Sequence, residues 1–146
     1  MLSRTPGIVQ GRARVVSFDS QPGFATLRAA FPTGSVDSVA IGASVALNGT
    51  CLTVTRQPQP DELCFDLIVE TLRATNLGEL RAGDLVNFER SARLGDEVGG
   101  HHVSGHVHTT AVVEQLEDTP GNRRLHFAVP AEFMKYILPK ARAVST

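Results

Sequence analysis

Four of the chain's five histidines lie in one short stretch, which reads EVGGHHVSGHVHTT from Glu97 to Thr110. They are His101, His102, His106 and His108. Three or four convergent imidazoles can bind zinc or copper, and His106 and His108 would share one face of a strand. A single imidazole can instead act as an acid, a base or a hydrogen-bond partner near neutral pH. The stretch alone leaves a metal site and a catalytic histidine both open.

The two cysteines, Cys51 and Cys64, are the other reactive side chains. They are 13 positions apart and form no CxxC pattern. This spacing argues against a disulfide framework and against a thiolate zinc site. From the sequence alone, both are interpreted as small buried apolar residues.

Composition narrows the classes of function. The 146 residues are 42% apolar and carry a formal net charge of −1, which is typical of one ordinary domain or two small ones. Basic and acidic residues are interspersed, so there is no basic stripe for nucleic acid or for an anionic membrane. No apolar run approaches the ~20 residues that span a bilayer, and the first residues lack the apolar segment of a secretory signal. We therefore expect a cytosolic protein that binds neither nucleic acid nor membranes.

The clearest local element is a hairpin around Asn48-Gly49, which can supply the two positive-φ positions of a type I′ turn. A two-residue loop pairs Leu47 with Thr50 and sets the register of the flanking strands. One face, suited to a core, then holds Val45, Leu47, Leu52 and Val54. The opposite face holds Ser44, Ala46, Cys51 and Thr53. Such small side chains either face solvent, as is ordinary on antiparallel sheets, or support a flat polar ligand.

Short β-rich runs separated by Gly, Pro, Asn or Asp recur along the chain, which is typical of a barrel or a sandwich. The predicted strands are Ile8–Val9, Arg14–Phe18, Ala25–Ala30, Ser44–Leu47, Cys51–Thr55, Cys64–Val69, Leu85–Glu89, Val107–Glu114 and Leu125–Val129. Helix is predicted only at Glu70–Ala74 and Ala131–Ile137, and Gln57–Glu62 is predicted to be a loop. We therefore expect an all-β fold.

An internal repeat divides the chain. GIVQGRARVV at Gly7–Val16 aligns with GHVHTTAVVE at Gly105–Glu114, and Phe31-Pro32 aligns with Val129-Pro130, both at an offset of 98 residues. One offset that serves two separate segments indicates a β module over residues 1–97 and a second, partial copy over residues 98–146. The counterpart of the Asn-Gly hairpin would begin near residue 142, so we expect the second copy to be incomplete.

Five stretches carry a resemblance to a known family. They are GIVQG, GASVALNGTCLTVT, FDLIVETLRATNLGEL, GDLVNFERSARLGDEVGGHHVSGHV and MKYILPK, in order from Gly7 to Lys140. In sequence and spacing they resemble the riboflavin synthases, the two-barrel enzymes of the lumazine-binding family. The resemblance implies a six-stranded Greek-key β-barrel followed by a second copy, here an incomplete one.

The resemblance also implies an activity. Riboflavin synthases transfer a four-carbon unit between two molecules of 6,7-dimethyl-8-ribityllumazine, which yields riboflavin and 5-amino-6-(ribitylamino)uracil. Their reaction needs no cofactor or metal, and they form homotrimers in which the first barrel of one subunit faces the second barrel of another. A non-catalytic module that binds lumazine or flavin is the alternative, because the second barrel is expected to be incomplete. A metal-binding β-domain built on the histidines is a third hypothesis.

Transferred residue by residue, the resemblance implies a substrate site and three catalytic candidates. The implied substrate-binding residues are Gly7, Ile8, Val9, Cys51, Leu52, Thr53, Asp66, Leu67, Thr71, Gly105, His106, Val107 and Lys140. The catalytic candidates are His106, Ser44 and Cys51. The match to a metal-free family favours His106 as a single acid, base or hydrogen-bond partner over a metal site. From the residues alone, Asp66 could instead stabilise a turn and Thr71 could cap a helix.

Two segments depart from the family's pattern. Thr5 and Pro6 stand where the family has Phe-Thr, so an aromatic residue that the family places near the ligand is missing. After Lys140 the chain reads ARAVST, which does not match the glycine and short strand with which the family continues. We therefore expect the second substrate site to lack part of its wall.

Overall fold

The computed structural model describes residues 7–92, 104–137 and 139. The contacts between residues divide the chain into two compact units, one up to Val107 and one from His108 onward. The repeat placed the boundary at residues 97 and 98, whereas residues 104–107 group with the first unit. The strands are β1 (Gly11–Gln21), β2 (Phe24–Ala30), β3 (Ser44–Leu47), β4 (Thr50–Gln59), β5 (Glu62–Ile68), β6 (Leu85–Arg90), β7 (Val112–Thr119) and β8 (Asn122–Ala128). The helices are α1 (Val69–Ala74), a 3-10 helix at Asn76–Glu79, and α2 (Ala131–Met134).

The first unit is a closed antiparallel barrel with the strand order β1-β2-β5-β4-β3-β6. Strand β6 pairs with both β3 and β1, which closes the sheet and leaves it without a free edge strand. The long connection from β2 to β3 and the return of β6 to β1 give it a Greek-key topology. The expected all-β fold with a six-stranded Greek-key barrel is therefore confirmed.

Alternating apolar residues on all six strands fill the barrel interior. Phe65, Leu27, Leu47 and Val86 are each fully buried there. The ring of Phe31 packs edge to face against Phe88, with 5.1 Å between the ring centres. This core fixes which side chains of each strand point outward, where the candidate site lies.

The Asn-Gly hairpin has the predicted register, with Leu47 opposite Thr50 and Ser44 opposite Thr53. Asn48 and Gly49 have φ values of 44° and 71°, as a type I′ turn requires. The side chain of Asn48 also accepts a hydrogen bond from the Asn87 amide at 2.9 Å, which ties the turn to β6. The predicted inward face is confirmed, since the following residues all belong to the core: Val45, Leu47, Leu52 and Val54.

Several predicted boundaries are wrong. Gln57–Glu62 is not a loop, because β4 continues to Gln59, which pairs with Glu62 across a tight turn. An irregular register between Arg56 and Gln59 accommodates Pro58, which has no amide to donate to the ladder. Residues 8 and 9 lie outside any strand, the strand predicted from residue 107 begins at Val112, and α2 ends at Met134. No helix in the described part of the chain is long and apolar enough to cross a membrane.

The second unit repeats the opening of the first. Val112 pairs with Ala128 and Thr119 with Asn122, just as Arg14 pairs with Ala30 and Gln21 with Phe24 in the barrel. Even the register irregularity between Val15 and Ser17 recurs between Val113 and Gln115. Every one of these pairs is displaced by the same 98 positions that the sequence showed. The hairpin of β7 and β8 is therefore the counterpart of β1 and β2, and the internal repeat is confirmed.

Candidate functional site

The candidate site lies on the outer face of the barrel, where three neighbouring strands place Glu89, Ala46 and Cys51 in one row. Ala46 on β3 pairs with Glu89 on β6 and with Cys51 on β4. Although this face points away from the core, Ala46 is only 2% exposed and Glu89 only 6%. Other parts of the chain must therefore cover the Glu89–Ala46–Cys51 row.

One covering segment is the stretch that precedes β1. The amides of Gly7 and Ile8 both donate to Oε1 of Glu89, at 2.8 and 3.2 Å. The Gln10 amide donates to the Phe88 carbonyl at 3.0 Å, and the Gln10 side chain accepts from the Arg90 amide at 3.1 Å. Residues 7–10 therefore run beside β6 and bring the predicted Gly7, Ile8 and Val9 to the row.

The other covering segment contains the repeated glycine. The carbonyl of Gly105 accepts a hydrogen bond from the Cys51 amide at 2.8 Å. A Cβ at position 105 would lie 2.6 Å from the Cys51 nitrogen, so only glycine fits without a shift of the backbone. This contact places His106, the next residue, beside Cys51 in the first unit. The predicted Gly105 and Cys51 are therefore in direct contact.

The row thus contacts the first residues of both aligned repeat segments, because Gly7 is bound by Glu89 and Gly105 by Cys51. Apolar side chains remain available around it, because Ile8 is 49%, Val9 55% and Val107 39% exposed. Exposed apolar groups beside backbone hydrogen-bonding groups suit a flat ring with polar edges. The arrangement can therefore support a heteroaromatic ligand by stacking and by strand-like hydrogen bonds.

Ser44 lies on β3 two residues before Ala46, on the same outer face. It is half-buried, it pairs with the exposed Thr53, and its carbonyl accepts from the Ser91 hydroxyl at 3.0 Å. Ser44 and Cys51 are diagonal neighbours on the outer face, at a separation of about 7–8 Å for such positions. Of the two interpretations of this face, solvent exposure fits Thr53 but does not fit the buried Ala46 or the half-buried Cys51.

Three of the predicted ligand-contact residues, Asp66, Leu67 and Thr71, lie at the end of β5 and in α1, and the structure excludes the alternative roles of Asp66 and Thr71. Asp66 accepts a cross-strand hydrogen bond from the Thr26 hydroxyl at 2.8 Å, so it does not stabilise a turn. Thr71 does not cap α1, because that helix begins after Ile68, and its carbonyl accepts from the Thr75 hydroxyl at 2.7 Å. The side chain of Leu67 points into the core, where it is 1% exposed.

Leu52 has the same orientation. Its side chain is 5% exposed and packs in the barrel core, so it cannot touch a ligand on the outer face. The ligand contacts that the sequence predicted for Leu52 and Leu67 stay predictions.

The histidine stretch is only partly described. His101, His102 and the predicted Lys140 lie outside the described residues. His106 and His108 are exposed. Within residues 7–92 and 104–137, no three His, Cys, Asp or Glu side chains are close enough together to hold a metal ion.

Sequence reasoning missed Glu89 as a site residue. It was predicted only as the end of a strand, and the alternation of β6 merely places its side chain on the outer face. On an outer face a carboxylate is ordinarily solvated, and nothing local shows that a distant segment covers it.

Comparisons with known proteins identify the family of the chain. The profile of the lumazine binding domain matches residues 6–91. The riboflavin synthase of Escherichia coli (strain K12) is 50% identical over 135 residues, which cover 92% of this chain and 63% of that protein. The riboflavin synthase of Buchnera aphidicola subsp. Schizaphis graminum (strain Sg) is 42% identical over the same length. The chain therefore spans somewhat less than two thirds of these relatives.

Among solved structures, LumP in complex with riboflavin matches with a TM-score of 0.78 at 25% identity, covering 92% of this chain and 72% of that chain. LumP in complex with 6,7-dimethyl-8-(1'-D-ribityl) lumazine matches with a TM-score of 0.74 at 26% identity, covering 86% and 69%. The profile match spans the whole closed barrel, including every strand that forms the site. The chain is therefore a member of the lumazine-binding domain family.

Proposed function

We propose that the chain is part of a riboflavin synthase and that its first barrel binds 6,7-dimethyl-8-ribityllumazine over the Glu89–Ala46–Cys51 row. The observation that carries this proposal is the convergence of Gly7, Ile8 and Gly105 on one covered outer face beside Cys51. The identity to riboflavin synthases supports the reaction, and the likeness to LumP supports the class of ligand.

Backbone groups are the proposed partners of the pyrimidine edge of the ring. Among the contacts of the described residues, the carbonyls of Gly7 and Ile8 and the amide of Val9 have no hydrogen-bond partner. They form a short, strand-like series of acceptors and donors of the kind that an imide edge can pair with. The exposed side chains of Ile8 and Val9 supply apolar contact to the ring face.

The proposed reaction is a dismutation of two identical molecules. A base removes a proton from the acidic 7-methyl group of one lumazine, and a nucleophile or water adds at C7 of the other. A four-carbon unit then passes between them, so one molecule becomes riboflavin and the other 5-amino-6-(ribitylamino)uracil. Because one molecule gains what the other loses, no outside oxidant or cofactor is needed. Most of the rate enhancement comes from holding the two rings face to face.

The catalytic candidates take roles that fit their positions. Cys51 and Ser44 lie on the outer face near the proposed ring and are the candidate nucleophile and hydrogen-bond donor at C7. His106 follows the Gly105 contact and is the candidate for proton transfer. The second lumazine belongs to a second barrel, of which the described residues contain the β7–β8 hairpin, and a homotrimer would bring such a barrel to the first one.

A non-catalytic lumazine- or flavin-binding function is the second candidate. The number of barrels favours it, because the described residues form one closed barrel and only the first hairpin of another. One barrel provides one ring site, whereas the dismutation needs two.

One experiment separates the two candidates. The purified chain is titrated with 6,7-dimethyl-8-ribityllumazine, and riboflavin formation is followed by its fluorescence. Binding with riboflavin formation supports the enzyme, and binding without it supports the non-catalytic module. A chain that binds neither the lumazine nor riboflavin contradicts both.

A further inference from the structure

We propose that Glu89 is a positioning residue, whose buried carboxylate holds the backbone of Gly7 and Ile8 in the conformation that receives the ligand. This inference rests on the proposed function, because it concerns the same face of the first barrel. It assigns a role to a residue that neither stacks on the ring nor takes part in the chemistry.

The environment of Glu89 is unusual for a carboxylate. The residue is 6% exposed, yet within the described part of the chain it forms no ion pair with a lysine, an arginine or a histidine. A buried carboxylate is strongly unfavourable unless hydrogen-bond donors compensate for the water it has lost. The amides of Gly7 and Ile8, at 2.8 and 3.2 Å, supply that compensation. Glu89 and the segment therefore order one another.

The two hydrogen bonds also decide which backbone groups stay available. Glu89 occupies the amides of Gly7 and Ile8, while the Gln10 amide is occupied by Phe88. Among the contacts of the described residues, the carbonyls of Gly7 and Ile8 and the Val9 amide are left for a ligand. Since Glu89 is paired with Ala46, and Ala46 with Cys51, the same contact fixes the distance of these groups from the thiol.

Removing this contact makes the free energy of ligand binding less favourable. Without Glu89, Gly7 and Ile8 lose the partner that fixes them, and the ligand must order the segment when it binds. The barrel core does not include Glu89, so we expect a variant without this carboxylate to keep the folded barrel. We therefore expect a loss of affinity that exceeds any loss of barrel stability.

The test uses the full chain with three substitutions. Glu89→Ala removes the acceptor, whereas Glu89→Gln keeps a neutral Oε1 that can accept both bonds. Glu62→Ala is the matched control, since Glu62 is also a strand carboxylate but is half-buried and pairs with Arg28 on another part of the barrel. Riboflavin binding is measured by fluorescence titration, and barrel stability by chemical denaturation.

Glu89→Ala is expected to weaken riboflavin binding about tenfold or more, which corresponds to at least about 1.4 kcal/mol. Glu89→Gln is expected to recover most of the affinity, and Glu62→Ala to bind like the unaltered chain. Unchanged affinity in a folded Glu89→Ala variant overturns the proposal. Equal losses in the Ala and Gln variants also overturn it, because they point to the charge rather than to the acceptor.

Hydrogen exchange of the ligand-free chain tests the role of Glu89 without depending on ligand binding. If the unaltered chain does not bind riboflavin, the proposed function fails, and the amides of Gly7 and Ile8 still report on Glu89. They are expected to exchange faster in Glu89→Ala than in the unaltered chain and in Glu89→Gln. Equal exchange of these two amides in the unaltered chain, Glu89→Ala and Glu89→Gln refutes the positioning role. An unchanged affinity of Glu89→Ala refutes it as well.

Discussion

Replacing Gly105 with alanine tests the contact that joins the repeated glycine to the candidate site. The new Cβ would lie 2.6 Å from the Cys51 nitrogen and 2.7 Å from the Cys51 Cβ. Neither atom is the end of a flexible side chain, so the segment itself must move. A shift of about 0.8 Å is needed to reach ordinary contact, and it stretches the hydrogen bond to about 3.6 Å, beyond hydrogen-bonding distance.

The size of the effect follows from the lost bond. A typical intramolecular hydrogen bond contributes about 0.5–1.5 kcal/mol. About 1 kcal/mol corresponds to about fivefold in an equilibrium constant, so the Cys51 amide should exchange with solvent at least about fivefold faster in Gly105→Ala. The measurement is amide hydrogen exchange resolved at single residues.

Two controls make the result specific. The Leu52 amide faces β3 in the alternating ladder of the hairpin, so its exchange should not change. Ser104→Ala, at the exposed neighbouring position, keeps the glycine and should leave Cys51 protected. If Gly105→Ala leaves the exchange of Cys51 unaltered, the Gly105 carbonyl is not its partner, and the reasoning that places His106 beside Cys51 fails.

Three further predictions concern the fold. Leu27→Ala should destabilise the chain by about 2–5 kcal/mol in chemical denaturation, because Leu27 is fully buried; Leu125→Ala, at the same position of the repeat but 45% exposed, should cost far less, and equal costs would contradict the described burial. Asn48→Gly should lower the free energy of unfolding by about 1 kcal/mol in chemical denaturation, because the hydrogen bond to Asn87 is lost. Asn48→Ala should lower it further, because alanine also disfavours the positive φ of this position. Equal stability of the unaltered chain and both variants would contradict this. Arg123 holds the pKa of Asp118 below its ordinary value through a side-chain hydrogen bond, so their pairing stabilises β7–β8 above the unfolded pKa and is lost as pH falls through the lowered one. NMR titration of Asp118 should show the pKa rise in Arg123→Gln, and no rise would exclude this pairing in solution.

Local chemistry accounts for what the sequence predicted well. The register of the β3–β4 hairpin follows from the Asn48-Gly49 turn alone, since a two-residue loop fixes every pair beyond it. The division of its residues into a core face and an outer face follows from the same register. The internal repeat could also be predicted from the sequence, because the same offset of 98 residues aligns two separate segments. The pairing of β7 with β8 has that offset.

Long-range contacts account for what the sequence did not predict. The amide of Gly7 reaches a carboxylate 82 positions further along the chain. No local pattern marks Glu89 as buried, because its burial depends on where the segment before β1 runs. Likewise, the polar end of β4 was predicted to be a loop, although pairing of Gln59 with Glu62 extends the strand.

Ligand protection of Cys51 tests the central claim most directly. Cys51 is half-buried and Cys64 is buried, so an alkylating reagent should label Cys51 first in the folded chain. Mass spectrometry then follows labelling of each cysteine as 6,7-dimethyl-8-ribityllumazine or riboflavin is added. A lumazine seated over the Glu89–Ala46–Cys51 row should slow the labelling of Cys51 in parallel with its binding curve. Binding that saturates while Cys51 is labelled at an unchanged rate would place the ligand elsewhere and contradict the account.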